Sequence, residues 1–286
     1  MLMSKIAILS GKGGTGKTTV LVNLAYAILR QDNHVQILDC DVEAPNADLF
    51  IHSHRTGSMN VEVLKPEILP DNCTYCGVCQ EVCEFNAIAI LKTQKQSLIF
   101  HELCHSCGAC SELCPENAIT ENPIVIGRVD SGDKNGLKIR SGFLNISEMM
   151  APTVIKEVKS HSLESGIDLI DSSPGTSCPV VQSVHDADFC VLVTEPTPFG
   201  LYDLGLAVGL LDELHRRYSV VINKSNENDY LIEEFCLDKG IEVIGRLPFD
   251  EDIARGYSEG EIIFTKKEYQ EIFIEIFNKI KEKLSE

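Results

Sequence analysis

With 286 residues and 44% hydrophobic side chains, the chain is long enough for one large α/β domain plus a small insert. Its 43 acidic against 25 basic residues leave a formal charge of -18, which repels nucleic acid and anionic lipid at long range, and no basic patch offsets it. The 12 cysteines are too clustered, in too large a chain, for a disulfide-stapled secreted miniprotein; with no signal-peptide pattern and only strand-sized apolar runs, a cytoplasmic protein with metal-ligating thiolates is expected.

Residues 5–9 predict a buried strand, residues 10–16 a glycine-rich turn and residues 17–30 a helix with Val20, Leu24, Ala27 and Ile28 on one face. Gly11-Lys12-Gly13-Gly14-Thr15-Gly16-Lys17-Thr18 satisfies G-x-x-x-x-G-K-[ST] in the strand-loop-helix context that this phosphate-binding motif requires. Backbone N–H groups at the glycines and the helix N-terminus suit phosphate oxygens; Lys17 would reach the β and γ oxygens, and Thr18 would offer its hydroxyl to Mg²⁺. Gly11 through Thr19 thus form the expected ATP- or ADP-contacting set. The same stretch spells G-x-G-x-x-G, but the Gly-Lys-Thr ending argues against a dinucleotide fold.

Residues 35–38 predict a second strand, ending in Asp39 and Asp41. The strand-helix alternation lapses after it and resumes near Pro123, which places an insert at residues 57–124 between ATPase segments at 1–56 and 125–286. Within it Cys73, Cys76, Cys79 and Cys83 are repeated by Cys104, Cys107, Cys110 and Cys114, and Asn86-Ala87-Ile88 by Asn117-Ala118-Ile119. Each run places three thiolates on one cluster while its fourth cysteine crosses to the other. One [4Fe-4S] cluster is therefore expected on Cys73, Cys76, Cys79 and Cys114, the other on Cys104, Cys107, Cys110 and Cys83. Zinc is the alternative that paired C-x-x-C spacings raise. The insert resembles bacterial two-cluster ferredoxins, with Glu84 where a proline follows the matching Cys114. That departure predicts a looser loop after Cys83.

Beyond the insert, residues 124–129, 137–139, 167–170, 189–194, 220–222 and 243–247 predict strands. Residues 147–159, 201–216 and 230–239 predict helices between them, so a doubly wound, mostly parallel α/β sheet is expected. Residues 266–284 carry Tyr269, Ile272, Phe273, Ile276, Phe277, Ile280 and Leu284 on one helical stripe. Its mixed Glu and Lys face favours docking on the sheet over membrane binding.

The loop with its early Lys12 resembles the deviant Walker A sequence of the MinD, ParA, Mrp/Nbp35 and nitrogenase iron-protein superfamily. The resemblance implies an ATP-dependent homodimer in which Lys12 contacts the partner's nucleotide. It further implies that Asp41 orients the attacking water, that Asp39 assists at the Mg²⁺ shell, and that Asp171, in Asp171-Ser172-Ser173-Pro174-Gly175, is the Walker B carboxylate. Asn223 looks like the adenine-reading residue and Pro248 like the second base-side loop. Cys40, Cys190 and Cys236 read as core residues; Cys178, seven residues after Asp171, reads as core or as a redox ligand.

Three functions follow as expectations: ATP-gated electron transfer through two clusters, iron-sulfur cluster carriage of Mrp/Nbp35 type, or a positioning switch with a redox sensor. The partner would be a redox protein or an apoprotein, with a basic docking surface to meet the acidic insert.

Overall fold

The computed structural model describes residues 3–31 and 33–285. In chain order, β1 (Ser4–Leu9), α1 (Lys17–Arg30), β2 (Val35–Asp39) and α2 (Asp48–Ile51) open the fold. β3 (His54–Ile68) leads to α3 (Val78–Glu81), β4 (Ile88–Leu91), β5 (Gln96–Ile99) and α4 (Ala109–Glu112), and β6 (Ile119–Lys134) returns. β7 (Leu137–Leu144), α5 (Ala151–Ser160), β8 (Ile167–Asp171), α6 (Cys178–Val184), β9 (Phe189–Thr194) and α7 (Pro198–Glu213) follow. β10 (Tyr218–Ser225), α8 (Tyr230–Lys239), β11 (Val243–Pro248), α9 (Glu251–Glu259) and α10 (Lys267–Ser285) complete the described chain.

Among the described residues the main sheet has nine strands in the order β11-β10-β9-β1-β8-β2-β7-β6-β3. The pairs from β11 through β7 are parallel, whereas β6 pairs antiparallel with β7 and with β3. Alternate side chains of one strand enter opposite layers: Ile6 and Ile8 join α1 and α10, while Ala7 and Leu9 join the layer of α5 to α8. Runs such as Phe189–Thr194 are buried on both faces, as a parallel sheet between two helical layers requires.

Sequence periodicity locates the central strands and α8 closely, but the region after β2 differs from its expected reading. There β3 and β6 pair from His54↔Asp133 to Ile68↔Ile119, with register shifts at Arg55/Gly57 and Val61/Glu62. Residues 57 and 124 thus lie within strands, and the cysteine-rich segment stands on a two-stranded ribbon continuous with the nucleotide-side sheet. The short helices α2, α6 and α9 are additions to the expected elements. The apolar stripe of α10 packs on the sheet, with Phe273, Ile276, Phe277 and Ile280 fully buried. Among the described residues no helix is long and apolar enough to cross a membrane.

Candidate functional site

The carboxyl ends of β1, β2, β8 and β9 converge, because parallel strands send all their outgoing loops to one edge. From β1 the chain enters the phosphate loop, where Gly14 (φ 79°) and Gly16 (φ 88°) take positive-φ conformations, of the kind from which anion-binding turns are built. A Cβ at Gly16 would lie 2.0 Å from Asn223 Nδ2, so that glycine also makes room for the cross-sheet neighbour. Asn223 Nδ2 donates to the Thr15 carbonyl at 2.7 Å, fixing the loop from the β10 side. The Thr15 hydroxyl is buried without a protein partner, a polar atom suited to a ligand oxygen.

Lys17, at the start of α1, donates to Asp171 Oδ1, and Thr18 Oγ1 donates to Asp171 Oδ2 at 3.2 Å. Burial pulls the Lys17 ammonium down, but Asp171, Asp41 and Asp39 outweigh it and hold the pKa above its ordinary 10.5. Asp39 is directly opposite Asp171 in the β2–β8 register. Its Oδ1 accepts from Asp41 N at 3.3 Å and its Oδ2 from Asn46 N and Ala47 N, both at 3.1 Å, so it shapes the turn that carries Asp41. Burial and the neighbouring Asp171 charge push the Asp39 carboxyl up to about 8. Asp41 Oδ1 accepts from Ser173 Oγ at 3.2 Å, which joins the loop after β2 to the loop after β8. Burial raises the Asp41 carboxyl as well.

Beside the phosphate loop opens a cleft lined by Gly14, Gly16, Thr19, Asn223, Lys224 and Pro248. Ile253, Ala254 and Tyr257 of α9 also line it. The expected base-side residues Asn223 and Pro248 are brought together there. The α9 wall was missed because its residues carry no motif; a helix-start signal, Asp250 accepting from Asp252 N at 2.7 Å, was available. Also missed was Glu195, just beyond β9. Its carboxylate accepts from Lys12 Nζ at 2.5 Å and from Lys224 Nζ at 3.0 Å.

The eight repeated cysteines surround two separate cavities. Cys73, Cys76, Cys79 and Cys114 line the first together with Ile68, Ile90 and Ile119. Cys83, Cys104, Cys107 and Cys110 line the second with Pro66, Phe85 and Ile88. The halves repeat in detail. Tyr75 N and Ser106 N each lie 3.4 Å from the sulfur two residues earlier, and Ala87 N and Ala118 N each 3.3 Å from the sulfur four residues earlier. Such N–H···S contacts favour thiolate over thiol. Burial pushes the Cys110 thiol up to about 11. Among the described residues no three His, Cys, Asp or Glu side chains close on a point tightly enough for one metal ion. In each cavity the cysteines line a space instead.

Two contacts tie the second cavity to the rest of the chain. Buried Lys65 donates to the His101 carbonyl at 3.0 Å and to Glu148 Oε2 at 3.1 Å, while Ser106 Oγ lies 3.7 Å from Met150 Sδ, directly before α5. At the far end of α5, Lys159 donates to the carbonyls of Gln182 and Ser183 in α6 at 2.9 and 2.8 Å and pairs with Asp186. Cys40, Cys190 and Cys236 are buried as expected, but Cys178 is exposed at the first turn of α6. The core reading of Cys178 is therefore incorrect: α6 turns Val180 and Val184 inward and leaves Cys178 outside.

The sequence pattern of the CobQ/CobB/MinD/ParA nucleotide binding domain matches residues 6–263. The chain belongs to this family. It is a MinD/ParA-type ATPase on a mostly parallel α/β P-loop sheet. It is 32% identical over 286 residues to an uncharacterized protein of Methanocaldococcus jannaschii, covering 98% of each chain. An iron-sulfur cluster carrier protein of Pyrococcus horikoshii is 24% identical over 305 residues, covering 99% of this chain and 87% of that one. Among solved structures, the septum site-determining protein MinD with Mg-ADP from P. horikoshii shares the fold, with a TM-score of 0.60, 19% identity and coverage of 98% and 96%.

Proposed function

We propose that this MinD/ParA-type ATPase carries two [4Fe-4S] clusters and couples its nucleotide state to electron transfer with a partner protein. The observation that carries the reading is the separation of the eight cysteines into two crossed quartets, each around its own cavity, on strands continuous with the nucleotide-side sheet. A single tetrahedral ion draws its sulfurs to about 2.3 Å from one centre, whereas a four-iron cube spreads them, so donor sets arranged around a space favour the cube over zinc. Bound there, the clusters would supply one-electron redox chemistry. The protein's own part is to hold them in an apolar shell with N–H donors to sulfur.

Mg-ATP would occupy the phosphate loop and the cleft beside it, with Lys17 moving from Asp171 to the β and γ oxygens and Thr18 and Asp39 serving the Mg²⁺ shell. Asp41 would orient water, and Ser173 would couple its position to the loop after β8. Lys12 lies at the mouth of the loop, half-buried, where a second copy's nucleotide could meet it; an ATP-dependent homodimer is the reading. Nucleotide-driven movement of that loop would reach the second cysteine cavity through α6, Lys159, α5 and the Glu148–Lys65 contact. The acidic chain favours a partner with a basic docking surface. Cytoplasmic location is part of the same proposal.

A second reading, cluster carriage, is favoured by the iron-sulfur cluster carrier relatives that align over nearly the whole chain. Anaerobic protein, reduced beforehand with dithionite and freed of the excess, then given excess ATP, separates the two. Reduction of a partner captured from extract, with iron retained at about eight per chain, supports electron transfer; loss of iron to an apoprotein supports carriage.

A further inference from the structure

We propose that Glu195 is a positioning residue that holds Lys12 within its own subunit, sharing its carboxylate with Lys224 so that Lys12 can leave for a second copy's nucleotide without stranding a buried charge. The inference rests on the homodimer reading above and adds the element that opposes premature dimerisation.

Glu195 follows β9 at the carboxyl edge of the sheet, and its side chain is only 14% exposed. Lys12 Nζ sits 2.5 Å from Oε1 and Lys224 Nζ 3.0 Å from Oε2, so each oxygen has its own cation. Lys224 is fixed a second time: its ammonium donates to the Gly14 carbonyl at 3.2 Å, inside the phosphate loop. Among the described residues Glu195 is the ion-pair partner of Lys12, whose side chain is 32% exposed. The two lysines therefore differ in kind. Lys224 is the fixed counter-ion and Lys12 the mobile one.

Burial alone would raise the Glu195 carboxyl, but the hydrogen bonds from Lys12 and Lys224 hold it below its ordinary value. Removing both cations from a carboxylate that is mostly buried would be costly; removing one leaves it compensated. Lys12 in trans requires that its pair with Glu195 break in each subunit. A partly exposed ion pair opposes that release by about fivefold, and two such pairs per dimer by about 25-fold.

The test uses the full chain in an Asp41→Ala background, followed by sedimentation velocity at saturating Mg-ATP for each variant. Glu195→Gln should tighten the dimer, by about 25-fold in dissociation constant. Lys224→Met should do the opposite, because Lys12 then becomes the sole counter-ion of Glu195. If Glu195→Gln does not fold, Glu195→Asp, too short to span both lysines, should tighten the dimer in the same direction. Opposite signs at two residues that touch each other are not expected from a general loss of local structure. An Asp41→Ala parent that stays monomeric in ATP removes the dimer reading and this inference with it. A parent that dimerises, with Glu195→Gln or Glu195→Asp leaving the constant unchanged or weaker, overturns the Glu195 assignment alone.

Discussion

Lys17 and Asp171 form a buried ion pair between the first residue of α1 and the last residue of β8, with Thr18 on the second carboxylate oxygen. The pair closes the charge of the phosphate loop onto the sheet. In the proposed nucleotide mode, ATP would exchange this carboxylate for phosphate and Mg²⁺.

Lys17→Ala should therefore lose more than phosphate affinity. Removal of the ammonium leaves Asp171 beside Asp39 with no buried cation, a change that costs about 3 kcal/mol unless a proton is taken up. Fluorescent-nucleotide titration should show loss of tight ATP binding, and chemical denaturation should show the lowered stability. Wild-type denaturation with binding lost would mean that Asp171 does not depend on Lys17 for compensation.

The raised Asp39 carboxyl fixes a pH dependence for the nucleotide-free, Mg²⁺-free protein. Its folded pKa of about 8 lies above the ordinary 3.8, so its contribution to stability is fully present below the ordinary value and is lost as pH rises through about 8. Between about pH 6 and pH 8 the loss is on the order of 2 kcal/mol. Asp39→Asn should flatten that slope in urea denaturation at a series of pH values. An unchanged slope would place the proton elsewhere.

The proposed crossed ligation gives a sharp outcome for single cysteines. In anaerobic protein, Cys114→Ser should perturb the cluster of Cys73, Cys76 and Cys79, and Cys83→Ser that of Cys104, Cys107 and Cys110. Either should lower iron from about eight towards about four per chain and replace the EPR signal of interacting centres by that of an isolated one. The double variant Cys73→Ser/Cys114→Ser should lose only one cluster and keep the one held by Cys83, Cys104, Cys107 and Cys110, at about four iron atoms per chain. Loss of both clusters in that variant would mean that the fourth cysteines do not cross.

Asp41→Ala should preserve ATP binding while slowing turnover by at least about 100-fold, since a water-orienting carboxylate acts in the hydrolytic step. Ser173→Ala should slow turnover less, because it removes only the hydrogen bond that positions Asp41. Adding Lys12→Ala to Asp41→Ala should abolish the ATP-dependent dimer in sedimentation. A dimer that survives at the same protein concentration would exclude Lys12 as a contact across the interface.

The sequence alone determined the parts whose signals are local. A strand, a glycine-rich turn and a helix follow one another within the first 30 residues, and the turn's own backbone makes the phosphate loop. The cysteine repeat likewise encodes two matching half-sites through short spacings. Tertiary structure decided what depends on distant partners. The ribbon of β3 and β6 contains Gly57, Pro66, Pro123 and Gly127, which break any local strand pattern; fourteen residue pairings across a separation of many tens of residues supply the order instead. Glu195 is 183 residues from Lys12, and neither β9 nor the phosphate loop carries a trace of the other. Their meeting, and with it the choice of which carboxylate holds Lys12, follows from the parallel crossover that sets β9 beside β1. Local chemistry chose the ligands; the topology of the sheet chose their neighbours.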